Sequence, residues 1–394
     1  MRLPPWLWMS LLVIVGIGLS LLPLSSRTLA NSPATELRGV WLTNIDSDVL
    51  YGRANPGYED WQQTRLSFAL KRLADLRFNT LYPTVWNGGY TLYPSPVAKA
   101  TLGFDQEPNP RLAGRDVLSE IVTQSHDLGL SVLPWFEFGL MAPAQSELAA
   151  QHPDWITQRQ DGTQIVKEGQ DDRVWLNPFH PEVQTFLVDL IVDVAARYDI
   201  DGIQLDDHFG LPVALGYDPW TVNLYQQMHQ GKSPPPNPHD PDWMRWRADQ
   251  LTALMKRLFW AVKAVNPNCL ISLSPNPYDF SYTHFLQDWH TWERQGFVEE
   301  LIVQVYRRTL RAYRRELADP VVKMAQEHIP VSIGILSGLK NRPMPPDLVR
   351  QQIQVARDRN FAGVSFFFYE TLAPHEPALK TLFQQPAQRP QLNP

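Results

Sequence analysis

The chain has 394 residues, 44% of them hydrophobic, 11% aromatic and 19% charged, with a formal net charge of −6. That length and apolar content fit one large core or two ordinary ones. No basic block is read in it, so nucleic acid is not expected as a partner.

The 14 Trp and 13 Tyr serve packing first, but flat apolar faces also stack on sugar rings.

Residues 1–30, MRLPPWLWMSLLVIVGIGLSLLPLSSRTLA, carry one early Arg, a long apolar run and then small and polar residues. Thr28 and Ala30 stand at the two small-residue positions of a signal cleavage site, so a mature chain beginning near Asn31 is expected. Trp6 to Leu24 also has the length of a bilayer span, which leaves an uncleaved anchor open. Both readings mean export to the periplasm or cell envelope, with membrane contact through this segment alone. The single cysteine, Cys269, excludes disulfides within the chain and a lipid-modified cysteine beside the signal.

Beyond the signal, short apolar runs rich in β-branched and aromatic residues alternate with helical patterns. The runs are 37–43, 79–86, 130–136, 201–206, 269–274, 300–306, 330–336 and 362–368, as expected of strands buried on both faces. Between them, Leu66, Leu70, Leu73 and Leu76 mark one helical face. Val183, Phe186, Leu187, Leu190, Ile191 and Val194 mark another, and Leu251, Leu254, Leu258, Val262 and Val265 a third. Eight strands in strict alternation with helices predict an α/β fold, a (β/α)8 TIM barrel over residues 36–384. An open doubly wound sheet is the other candidate, but no Gly-rich turn follows Trp41. The tail 385–394 reads as disordered, no second domain is evident, and a monomer is expected.

Long insertions follow strands two, three and four, on the face where barrel enzymes build their sites. They carry Tyr90, Tyr93, Trp155 and Trp175 as candidate glycan contacts, and Asp161-Gly162 reads as a hairpin turn. Substrate specificity is expected in the loops after strands two and three, so that trimming 154–175 weakens glycan binding and spares the fold.

Polar and aromatic residues gather at the strand ends. Asn44 follows strand one. Trp86 and Asn87 close strand two, and Trp135 and Glu137 strand three. Gln204, Asp206, Asp207 and His208 close strand four, and Asn276 follows strand five. Gln304, Tyr306 and Arg307 lie on strand six, with Glu370 after strand eight. Trp41, Trp86 and Trp135 are candidate sugar platforms, with core packing as the plainer role. Side chains alternate along a strand, so Gln204 and Asp206 share the face opposite Ile203 and Leu205. An unpaired acid inside a barrel is costly, which singles out Asp206. Glu370 reads more readily as a cap or an ion-pair partner than as a catalyst.

Glycoside hydrolysis needs one carboxyl to protonate the leaving oxygen and a second as base or nucleophile. Asp206, Asp207 and Glu137 are the expected catalytic set. Asp206 is assigned as the ionised group that attacks or stabilises the sugar carbon, and Glu137, flanked by Trp135, Phe136 and Phe138, as an acid of raised pKa. Asp207 then orients the pair. Trp41, Asn44, Trp86, Asn87, Trp135, Gln204, His208, Asn276, Gln304, Tyr306 and Glu370 are the expected substrate-binding residues. No phosphate-binding, metalloprotease or nucleophile-elbow motif is present, and the reading calls for no cofactor. A metal on Asp206, Asp207 and His208 is disfavoured, because neighbours on a strand point to opposite sides.

At these residues the sequence resembles a known family. ELRGVWLTN, FNTLYPTVWNGGYTLYPS, RYDIDGIQLDDHFG, LIVQVYR and AGVSFFFYE follow the order and character of motifs in the glycosyl-hydrolase-like family ten, exported bacterial barrel proteins. The resemblance runs from about residue 36 to 380. It implies a TIM barrel and activity on cell-wall glycan, notably peptidoglycan stripped of its peptides. The family's strand-four acids fall on Asp206 and Asp207. Where the family has an Asn-containing motif after strand three, this chain has LPWFEFGL with Glu137. The chitinase-type family also begins strand four with Asp-Gly, but its proton-donating Glu would fall on His208 and an inner Asp on Gln204, so its substrate-assisted mechanism is not supported. Two expectations remain: an exported glycosidase acting on a polysaccharide, or a carbohydrate-binding barrel that kept the cleft and lost a carboxylate.

Overall fold

Every apolar run of the alternating pattern contains a strand of a single parallel sheet in the computed structural model, which describes residues 34–45, 47–51, 59–339 and 342–391. The segment 1–30 and its cleavage site lie outside the described residues. The strands are β1 Leu37–Leu42, β2 Thr80–Pro83, β3 Ser131–Val132, β4 Gly202–Asp206, β5 Leu270–Ser274, β6 Glu300–Gln304, β7 Val331–Leu336 and β8 Gly363–Phe367. Their order is β4-β5-β6-β7-β8-β1-β2-β3. A parallel bridge between Trp135 and Gln204 then joins the two ends, with Asp201 N–H donating to Val132 O at 3.1 Å and Gln204 N–H to Pro134 O at 2.8 Å. Helices follow the strands around the outside, as in a (β/α)8 barrel.

β3 is shorter than its seven-residue apolar run because of Pro134. On the side facing β4, Val132 O and Pro134 O accept and Phe136 N–H donates to Gln204 O at 2.9 Å. By that alternation, the N–H that Pro134 lacks is the one that would have faced Gly202. The ladder therefore breaks and resumes at Trp135.

The helix Pro181–Arg197 buries all six residues of its expected face. In Pro241–Val265 the face is buried up to Val262, while Val265 at the last position is exposed.

The insertion after β3 folds into a three-stranded antiparallel sheet in which Asp171–Trp175 pairs with both Met141–Pro143 and Val166–Glu168. The hairpin reverses at Gly169, whose φ of +61° suits glycine. Asp161-Gly162 instead closes a separate tight turn, with Arg159 N–H donating to Thr163 O at 2.8 Å. Trp155 and Trp175 are buried, and so is Tyr93. Their polar atoms donate to Glu182, Gly210 O and Leu190 O, respectively. These three aromatics hold the insertions onto the barrel rather than facing a ligand, so trimming 154–175 would remove core.

The tail corrects a second expectation. Ala387–Gln388 pairs in parallel with Ala34–Thr35, and Arg389 reaches into the barrel floor to Glu300 Oε2 at 2.5 Å. Glu300 is 1% exposed, and an acid so placed needs a counter-charge, which orders the tail through Gln391. From there a polar column climbs the barrel. Ser272 Oγ donates to Glu300 Oε1 at 2.8 Å, Gln204 Nε2 to Ser272 Oγ at 3.1 Å, and Trp41 Nε1 to Gln204 Oε1 at 2.6 Å.

Arg389→Met should therefore leave Glu300 buried and unpaired and cost about 3–5 kcal/mol in urea unfolding. Adding Glu300→Gln should recover most of that loss; a single variant as stable as the parent would refute the column's dependence on the pair.

Candidate active site

Strand alternation carries Gln204 and Asp206 into the barrel, and each meets an indole N–H there. Trp41 donates to Gln204, and Trp135 Nε1 donates to Asp206 Oδ2 at 3.0 Å. Asp206 Oδ1 accepts from His208 N–H at 2.9 Å. Asp206 is 1% exposed. Burial pushes its pKa up to about 7, against the pull of His208. It therefore points inward as the alternation predicts, yet it is neither open to the cleft nor held fully ionised at neutral pH.

Asp207, where β4 gives way to loop, keeps 20% of its side chain exposed. Gln304 Nε2 donates to its Oδ1 at 2.9 Å and Asn276 Nδ2 to its Oδ2 at 2.8 Å. Two neutral amides from β6 and the loop after β5 thus orient this carboxylate as an acceptor without neutralising it.

Glu137 comes from the loop after β3 and is 5% exposed. Its Oε2 accepts from Thr43 Oγ1 at 3.0 Å, Thr84 Oγ1 at 2.9 Å and Asn87 Nδ2 at 2.6 Å. Among the described residues, Oε1 accepts only from Thr43, at 3.1 Å. Burial raises its pKa, and these bonds together with His208 oppose the rise. With Oε2 saturated, a proton on Glu137 belongs on Oε1.

His208 sits among the acids. Its Nδ1 lies 2.9 Å from Glu137 O, and its Nε2 lies 3.1 Å from Glu168 Oε1 on the hairpin of the β3 insertion. Nδ1 is also 3.4 Å from Asp206 and 3.9 Å from Asp207. Acceptors at both ring nitrogens fit the doubly protonated imidazolium. Burial alone would lower its pKa, but the charges of Asp206 and Asp207 and the bonds to Asp206 and Glu168 raise it well above the ordinary value. Loop and strand end meet closely here. A Cβ on Gly139, whose φ is +48°, would lie 2.9 Å from the His208 carbonyl. Asp206, Asp207 and His208 do bring ligand-type atoms within 4.8 Å of one another, but His208 turns Nδ1 to Glu137 O and Nε2 to Glu168, and both carboxylates accept protein donors.

Aromatic side chains wall the acids. The ring of Phe367, half-buried at the end of β8, lies 5.6 Å from Tyr306, 6.4 Å from Trp135 and 6.3 Å from Trp41. Burial and the charges of Asp207, Asp206 and Glu137 push the Tyr306 phenol well up.

Other expected contacts are internal. Trp86 is fully buried, with Nε1 donating to Gly139 O, and Trp41 and Gln204 are sealed in the polar column. These three support the site and cannot touch a substrate. Asn87 joins Glu137 to Asn44. Glu370 accepts from Ser47 Oγ at 2.8 Å, tying the loops after β8 and β1. Thr43, Thr84, Glu168 and Phe367 were not singled out from sequence. The first two are hydroxyls at strand ends, where the rule used for acids would have found them.

Residues 36–356, which carry β1 to β7 and all three acids, match the family described as Glycosyl hydrolase-like 10. The chain belongs to the glycosyl hydrolase-like 10 family. The glycosyl hydrolase DigH of Escherichia coli K12 is 26% identical over 317 residues, covering 68% of this chain and 65% of DigH. The glycosyl hydrolase YngK of Bacillus subtilis 168 is 22% identical over 321 residues, covering 74% of this chain and 58% of YngK. This chain thus spans less than two thirds of either relative. The glycoside hydrolase domain of PgaB (BpsB) from Bordetella bronchiseptica shares the fold, with a TM-score of 0.67 at 16% identity over 87% of this chain and 97% of that one. This glycosyl hydrolase-like 10 member gathers three carboxyl groups, each held by protein donors, at the mouth of its (β/α)8 barrel.

The Glu168–His208 contact has a pH signature. His208 is raised, so its stabilisation is present below its unfolded value of 6.5 and is lost as pH rises through the folded value. Glu168 is lowered, chiefly by His208 against the effect of burial, so its stabilisation is present above 4.5 and is lost as pH falls through the folded value. Glu168→Gln should lower the His208 midpoint in an NMR ring titration. It should also reduce melting temperature more at about pH 5.5 than at alkaline pH; an unmoved midpoint would show that the two groups do not face each other.

Proposed function

We propose that the protein is an exported hydrolase of glycosidic bonds in cell-wall glycan, its substrate being peptidoglycan strands freed of their peptides, and that the segment 1–30 directs the export. The observation that carries the reading is the division of labour among three acids at one barrel mouth. Asp207 is partly open and held by amides, whereas Glu137 and Asp206 are buried and raised. The family match and the half-buried aromatic wall of Tyr306 and Phe367, suited to a sugar face, support it.

In this reading Asp207, rather than Asp206, meets the sugar carbon as its charge develops, because Asp206 has no path to the cleft. Asn276 and Gln304 fix its two oxygens, so little reorganisation is needed as the oxocarbenium-like state forms. Glu137 supplies the proton to the leaving oxygen from Oε1, burial having raised its pKa in the direction a general acid needs. Asp206 and His208 sit behind as a coupled pair that holds the local charge. The raised pKa of His208 places a cation 3.9 Å from Asp207 Oδ1.

Mass spectrometry of denuded glycan strands after incubation tests the reading. The wild-type protein should release shorter products. Asp207→Asn should slow the reaction by about 10³-fold or more with its melting temperature held. Glu137→Gln should lose as much on natural strands and regain part of it on a substrate whose leaving group needs no proton. An Asp207→Asn protein with full activity would remove this assignment, and intact strands after incubation with the wild type would remove the substrate.

A further inference from the structure

The net charge of −6 conceals a local cation cluster. Immediately beyond β6, the run VYRRTLRAYRRE from 305 to 316 sets five arginines against one acid, Glu316, which corrects the reading that the chain holds no basic block. Glu316 accounts for two of them, lying 3.4 Å from Arg307 and 3.2 Å from Arg315. Arg308, Arg311 and Arg314 have no carboxylate partner among the described residues. All three are exposed.

Position gives the cluster its meaning. Gln304 ends β6 with its amide on Asp207, Tyr306 stands in the aromatic wall, and the arginines start at the next residue. Arg311, Arg314 and Arg315 lie three and four apart on the helix Leu310–Glu316, so they share one face. Arg359, just before β8 at the floor end of the barrel, donates from Nη1 to Arg314 O at 2.8 Å, so the mouth end of the cluster is Arg308 and Arg311. On the neighbouring β7 loop, Arg342 is also exposed and without a carboxylate partner among the described residues. Exposed arginines are ordinary on a surface; what sets Arg308 and Arg311 apart is that they follow directly on Gln304 and Tyr306 of the mouth. Guanidinium forks suit planar carboxylates, and an anionic protein otherwise repels a polyanion.

We infer that the arginine cluster after β6 is a subsite for carboxylates borne by the glycan strand lying in the cleft. This rests on the reading that the cleft takes a glycan. Contiguity decides between occupants: a group held by Arg308 and Arg311 is reached along the same wall that carries Tyr306 and Gln304, so it belongs to the molecule that meets Asp207. The lactyl carboxylates of muramic acid, one on every second sugar, have the required chemistry.

The test uses the full chain carrying Asp207→Asn, so that bound strands persist. Affinity is measured for denuded strands and for the same strands with their carboxylates converted to amides. The native strands should bind about tenfold or more tightly, with a preference that weakens in salt. Arg308→Glu/Arg311→Glu should abolish that preference, and Arg308→Gln/Arg311→Gln should reduce it, with an unfolding curve unchanged from the parent. Equal affinity for the two strands, or a preference that survives both variants, overturns the subsite. So does a loss confined to binding of phosphatidylglycerol vesicles, which would assign the arginines to a membrane surface. Failure of the hydrolase reading is visible separately, as an absence of products from the wild-type protein on either strand.

Discussion

The two-residue period of β4 constrains the rest of the mouth. Once Ile203 and Leu205 turn outward under the helices, Gln204 and Asp206 must turn inward, and a polar atom there without a partner is costly. Both are answered by indole N–H groups, from Trp41 on β1 and Trp135 beyond β3. Those bonds bring β1, β3 and β4 to a common axis and leave the two tryptophans without a free polar edge. Trp41 and Trp135 are committed in this way to holding inward polar groups in position, and the sugar-facing wall is left to Tyr306 and Phe367.

Electrostatically the site is three acids around one imidazole. Like charges this close cannot all be expressed. The structure resolves the conflict by depth: the carboxylate nearest solvent is held by amides, and the buried ones are raised. His208 links the layers, since its ring faces Glu137 O on one side and Glu168 from the hairpin on the other. The insertion after β3 is therefore coupled to the acids through a single ring.

The architecture was legible because buried parallel strands and one-sided helices leave strong periodic marks, and all eight apolar runs contain a barrel strand. Strand alternation also placed Asp206 correctly. Depth was not legible. Nothing in the sequence separates Asp206 from Asp207 by exposure, because that depends on where β4 ends relative to Trp135. Trp86 and Trp175 look like platforms in a string of letters, and only the packing of Phe186 and Gly210 against them shows otherwise. The tail was misread for a related reason: Gln385 to Gln391 has a disordered composition, and its order comes from Glu300, an acid far away in sequence.

That distance has a consequence for how the barrel is made. Glu300 is synthesised 89 residues before Arg389. A chain still growing holds β6 with an acid on its inner face and no counter-charge, and the closing contact spans a long stretch of sequence, the kind that forms late. The floor of the barrel is thus among the last parts to set. Because Ser272, Gln204 and Trp41 hang in series above it, the order of the mouth waits on an event at the opposite end of the barrel.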